Sequence, residues 1–228
     1  MSATSINDSL LISLRADPSS WADRVSYAPT DPSDPESDPH LTPRHVVLLS
    51  LHAHHHPTPV ATDENLLLYL IDEETLYHQR ADHYRSALSL AAYLLARLRR
   101  PEHLWAVWAA RETNYDALKS VDSHYMYYAA GSIQGAREYV ERSEAADIVG
   151  AAEKGRGREG WWKAVVEEDY EGDTNEAVKG IRKMVLERVA HDEKHGVTDE
   201  KVIAFVDDSW RSQTDRWAES LVPEEYVA

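Results

Sequence analysis

The sequence predicts an all-α fold, with antiparallel helical hairpins forming a bundle or a short repeat-like stack. Three observations predict it. Apolar residues recur at three- and four-residue steps along most of the chain, capping and stopping residues fall between these stripes, and the connections between Thr62 and Ser143 are only a few residues long. Short connections force neighbouring helices into antiparallel hairpins.

In chain order, Ile6 to Ala16 reads as a short amphipathic helix ended by Asp17-Pro18. From Ser19 to His40 the composition changes. DPSDPESDP carries Asp31, Asp34, Glu36 and Asp38 with no base among them and prolines every three or four residues, which predicts a disordered acidic linker. Residues 1–40 are therefore an N-terminal helix and linker, and 41–228 one helical domain with a possible subdomain boundary at 150–160. Leu41 to His56 forms the next helix, with Thr42 as cap, Pro43 opening it, a histidine-rich last turn, and Pro57 and Pro59 stopping it.

The helix that follows starts near Thr62 or Asp63, either able to cap backbone N–H groups, and places Leu67, Leu70, Ile71, Glu74 and Tyr77 on one face. The next carries the stripe Tyr84, Ala87, Leu88, Ala91, Leu94, Leu95 and Leu98, with arginines in its last turn where cations favour the helix dipole. Pro101 opens a third helix through Leu104, Val107, Trp108, Arg111, Tyr115 and Leu118. SHYMYYAA stops at Gly131, SIQGAREYVERS follows, and another helix spans Glu144 to Lys154. Asp173 with Glu176 makes a capping-box-like start for AVKGIRKMVLERVAHDEKH, closed by Gly196, and Thr198 begins the last helix. The helix pairs do not fall into register as tetratricopeptide repeats.

Composition narrows the function. The chain has 228 residues, 40 acidic against 24 Lys plus Arg, for a formal charge of −16. A field of that sign repels nucleic acid and anionic membranes and attracts cations or basic partners. No cysteine is present, which excludes disulfides, a thiolate nucleophile and cysteine-ligated metals. The N-terminus lacks the basic start and apolar run of a signal peptide, and no stretch has the length of a membrane span, so a cytoplasmic protein is expected.

Two groups of residues have the chemistry of sites. The first is an aromatic–polar cluster at WAARETNYDALKSVDSHYMYY, where Trp105, Trp108, Arg111, Glu112, Asn114, Asp116, Asp122 and His124 are candidates for ligand or partner binding. Aromatic walls with a few polar groups describe a pocket, and the plainer alternative is a structural network at a helix corner. The second group is the histidines. His52 and His56, and again His191 and His195, are four apart and share a helix face, a spacing that suits two ligands of a divalent transition metal. His78 and His83 complete the set of candidate ligands; helix-terminal polarity explains the same positions without a metal. The acids of LLYLIDEE lack the spacing of a magnesium site and are expected at the surface.

Three functions fit. A helical interaction or scaffold protein, binding a basic protein or peptide through an acidic, aromatic-containing surface, requires the fewest unseen features. An enzyme or small-molecule binder with a pocket among the central aromatic helices, with or without a metal, is the alternative. The third is an acidic inhibitor or decoy of a basic protein.

Overall fold

The computed structural model describes residues 8–55, 60–80, 87–155 and 172–208, and among them every regular element is helical. The N-terminal part holds α1 (Ser9–Ala16), α2 (Trp21–Val25), α3 (Leu41–His54) and α4 (Glu64–His78). The centre is α5 (Ala87–Ala96), α6 (Leu104–Arg111), α7 (Tyr115–Ser120), α8 (His124–Ala129), α9 (Ile133–Arg142) and α10 (Ala145–Gly155). Then come α11 (Thr174–Lys194) and a helix α12 at 199–208.

The local rules act at several helix ends where the sequence places them. They do not at α3, which starts at Leu41 behind His40, so Thr42 lies inside its first turn and is not its cap. Ser132 caps α9 by accepting from Gly135 N at 2.8 Å, and Asp173 caps α11 by accepting from Asn175 N and Glu176 N. Gly131 and Gly196 take positive φ values of 85° and 78° after α8 and α11, a conformation a Cβ disfavours. Pro101 opens a short 3-10 turn leading into α6. Asp63 departs from expectation. It stands at the N-cap of α4, yet its carboxylate makes no capping bond, because it is claimed by Arg15 and His55.

The third predicted helix is two. Thr113 Oγ1 donates to Ala109 O at 3.1 Å at the end of α6, and Asn114 turns extended and accepts from Ala117 N to start α7. A polar Thr-Asn pair competes with the helical ladder and wins here. α4 packs against α5, α6 against α10, and α11 against α9 and α10. Leu11, Leu14 and Val25 share one core with Leu48, Leu51, Leu67, Leu70, Leu94 and Leu104 and the alanines of α5, all without exposure.

The acidic segment before α3 is built into the fold. Ser33 N donates to Asp31 Oδ1, Glu36 N to Asp34 Oδ1, and residues Pro35–Ser37 form a 3-10 turn. Asp38, read from composition as part of a free linker, is 5 % exposed. Its carboxylate receives Ala28 N and His40 N on one oxygen and Arg44 Nη1 on the other. An aspartate taken out of water needs such partners, and Arg44 is six residues away.

Candidate functional site

Arg44, in the first turn of α3, has no exposure and lies at the centre of the most heavily charged part of the interior. Its Nη1 donates to Asp38 Oδ2 at 2.6 Å and to Ser26 O at 3.0 Å, and its Nε donates to Glu74 Oε1 at 2.7 Å. Glu74, near the end of α4, is also fully buried. His45 Nε2 stands 3.7 Å from Glu74 Oε1 and His78 Nδ1 3.8 Å from Oε2. These contacts join the start of α3 to the end of α4, while His55 meets Asp63 at the other end, so the two helices run antiparallel.

Electrostatics at this centre are lopsided. Burial by itself pushes the Glu74 carboxyl up, but the Arg44 charge, with His45 and His78, outweighs it and holds the group well below the usual carboxylate range. Arg44 also loses favour by burial and regains more from Glu74 and Asp38, so its affinity for the proton is raised. The His78 Nδ1 lies 2.8 Å from the carbonyl of Glu74, which can only accept. That fixes the tautomer: the neutral ring carries its proton on Nδ1 and its lone pair on Nε2. Asn114 Nδ2 donates to His78 O at 2.5 Å, holding the end of α4 against α7.

The start of α4 repeats the pairing of acid with imidazole. Asp63 Oδ2 lies 3.1 Å from His55 Nε2, and the same carboxylate takes Arg15 Nε at 2.8 Å and Nη2 at 2.5 Å. Burial opposes the ionised form of Asp63. The hydrogen bonds from His55 and Arg15, with the Arg15 charge, bring its pKa down to about 2. One residue on, Glu64 holds His103 Nε2 at 2.8 Å and Arg100 at 2.7 Å. Buried histidines at these positions are thus oriented by carboxylates one at a time.

The aromatic–polar cluster divides into three local groups. Trp105 and Trp108 are 3 % and 2 % exposed, their rings edge-to-face at 5.7 Å, and Trp105 Nε1 donates to Ser143 Oγ at 2.8 Å. They belong to the core. Arg111 pairs with its neighbour Glu112 at 3.0 Å, while Asn114 caps α7 and Asp116 lies in the first turn of that helix. Asp122 and His124 do meet. Asp122 precedes α8, so its carboxylate folds back to accept from both His124 N, at 2.9 Å, and His124 Nδ1. Burial raises the Asp122 carboxyl, and the bonds from His124 with the Arg111 charge more than reverse this. The His124 ring stacks on Phe205 at 4.7 Å.

Among the predicted metal ligands, His56 and His83 lie outside the described residues. His52 is buried and tilted against Tyr93 at 6.1 Å, His78 belongs to the Glu74 centre, and His191 and His195 stack on each other at 4.0 Å. Among the described residues, no group of three or more histidines and carboxylates has the placement to hold a metal ion.

Sequence reasoning passed over Arg44, Asp38 and His45, and it placed the acids of LLYLIDEE at the surface, where Glu74 is not. It also missed Asp192. Oδ2 of that residue accepts from Tyr127 at 2.6 Å, Arg188 Nε at 3.0 Å and Ser123 Oγ at 3.2 Å. On the outside, Glu102, Glu138, Glu141, Glu144 and Asp147 are exposed where α9 and α10 meet the start of α6. Tyr139 is half-buried among them, and its hydroxyl is pushed up by burial and then by the charges of Asp147 and Glu102.

No protein-family model matches the chain, and neither does any curated protein or solved structure.

Proposed function

We propose that this is a helical interaction protein that binds a basic protein or peptide through the acidic surface around Tyr139. The single observation that carries the reading is the field at that tyrosine. Asp147 and Glu102, from two elements far apart in sequence, both act on its hydroxyl. Exposed Glu138, Glu141 and Glu144 extend the same sign along α9 toward α10, with Arg142 against Glu138 and Arg100 4.0 Å from Glu102 as opposing charges. A tyrosine offers ring area at low entropic cost beside charges that steer a basic partner. The chain's formal charge of −16 adds long-range attraction of the same sign.

The test is fluorescence-detected binding of a lysine-rich peptide to the full chain across a salt series. Binding should weaken steeply with ionic strength, and the double variant Glu141→Lys, Glu144→Lys should lose it while its thermal unfolding stays close to that of the parent. Binding of equal strength by the variant, or none by the parent at low salt, sinks the reading.

A further inference from the structure

His191, in the last turn of α11, and His195, which caps that helix, are four residues apart on one face. Their rings stack with centroids 4.0 Å apart and 27° between the planes. Hydrogen bonds decide which nitrogen of each ring holds the lone pair. His195 Nδ1 lies 2.7 Å from His191 O, a carbonyl that can only accept, so Nδ1 carries the proton. His191 Nδ1 stands 3.3 Å from Asp192 Oδ1. Burial raises the Asp192 carboxyl, and bonds from Tyr127, His191 and Arg188 more than reverse this, so it too is an ionised acceptor. Each neutral ring therefore has its lone pair on Nε2. With Nδ1 anchored to the helix end, Nε2 takes the outer edge. The His191 side chain is 58 % exposed and His195 is exposed, so that edge is open to solvent.

We propose that His191 and His195 bind one divalent transition-metal ion through their Nε2 atoms, with water completing its coordination. The ligands choose the class: zinc, nickel and copper take imidazole nitrogen, whereas magnesium and calcium take oxygen. Metal-binding histidines characteristically donate the other ring N–H to a carboxylate or a backbone carbonyl, which fixes tautomer and ring together. Each ring here has such a partner, the Asp192 carboxylate for His191 and the His191 carbonyl for His195. Helix-end polarity, with imidazolium groups answering the last carbonyls, is the competing account. The stack opposes it, because two charged rings on adjacent turns repel, and a neutral ring offers a lone pair instead. Glu187, one turn before His191 on the same face, adds negative charge, while Lys183 at 3.8 Å from it and Arg188 against Asp192 oppose. Two protein ligands are fewer than structural or catalytic zinc sites supply. The ion is therefore an exchangeable brace across the end of α11, ahead of the Gly196 turn. The site is separate from the acidic surface around Tyr139 and does not depend on it.

The experiment is NMR titration of the full chain with zinc chloride, following the histidine ring signals, with magnesium chloride as control. The His191 and His195 signals should shift together and saturate, well before those of His54, a half-exposed histidine whose Nε2 faces Asp8. Magnesium should leave them in place. His191→Gln and His195→Gln keep a polar side chain at an exposed helix end and remove one imidazole each. Either should weaken zinc binding at least about tenfold, since the second imidazole acts as an intramolecular ligand. Zinc should also raise the thermal unfolding midpoint of the parent and leave that of each variant where it is. Signals that move no earlier than those of His54 mean adventitious surface binding only and overturn the proposal. So does zinc affinity that is unchanged in either variant.

Discussion

The Tyr127 hydroxyl donates to Asp192 Oδ2 at 2.6 Å, tying α8 to α11 across 65 positions of sequence. Arg188 and Ser123 bond the same oxygen, so one carboxylate organises the joint between the central helices and the C-terminal part. Burial, and then Asp192, push the Tyr127 hydroxyl well above its usual range, so it remains a donor at every physiological pH. Tyr127→Phe keeps the ring and removes the bond. It should cost about 1.5–3 kcal/mol in urea unfolding, the range for a hydrogen bond to a charged acceptor. An unchanged midpoint would show that the joint does not depend on it.

Asp63 sets an acid limb in stability. Its folded pKa of about 2 lies below the unfolded value, so its contribution is complete above about pH 4 and disappears as the pH falls toward 2. The loss is on the order of 2 kcal/mol from the linkage relation. Asp63→Asn should remove that share and make the fall in unfolding free energy between about pH 5 and 2 shallower, measured by denaturant titration at each pH. The lowered carboxyls of Glu74 and Asp122 are among those that supply the rest. A variant with the parent's acid slope would contradict the assignment.

Two neighbouring acids in the proline-rich segment should behave oppositely. Asp38→Ala leaves the Arg44 guanidinium buried with one counter-charge fewer, a change that typically costs about 3–5 kcal/mol. Glu36→Ala trims an exposed side chain and keeps the backbone N–H that Asp34 accepts, so it should stay within about 0.5 kcal/mol. Thermal unfolding followed by circular dichroism separates the two. Equal shifts would return the segment to the status of a tether.

Aromatic residues divide in the same way. Trp108 is 2 % exposed and Tyr115 is 68 % exposed. Trp108→Ala should cost about 3–5 kcal/mol through the cavity it leaves, and Tyr115→Ala should stay within about 0.5 kcal/mol. Differential scanning calorimetry of both variants is the check.

Much of the architecture is legible in the sequence because its signals are local. Ser132, Asp173, Gly131 and Gly196 mark helix ends by chemistry that acts within four residues, and all four do so here. Glu74 is half legible. It falls on the apolar stripe with Leu67, Leu70 and Tyr77, and a charge on such a stripe announces a buried partner even when its identity is hidden. Leu41, Arg44, Leu48, Leu51 and His55 form a second stripe interrupted by polar residues, which carries the same announcement for Arg44. Asp38 is not legible. Its segment has no periodicity, and nothing in DPSDPESDP distinguishes the one acid that faces Arg44 from those that face water. The aromatic cluster misleads for the opposite reason. Density of polar and aromatic types along the chain suggests convergence, whereas helix breaks at Asn114 and Asp122 send neighbours to different partners.

Arg44 clips the chain to itself. By holding Ser26 O and Asp38 at once, it closes the backbone between residues 26 and 44 into a loop, which Tyr27 N pins in turn to Glu73 of α4 at 2.7 Å. Tension applied at the N-terminus in a single-molecule pulling experiment passes from α2 through this clip into α3, and the loop stays hidden until the clip ruptures. Its release adds roughly 60 Å of extended chain in one step. A guanidinium buried for electrostatic reasons also acts as the protein's mechanical latch.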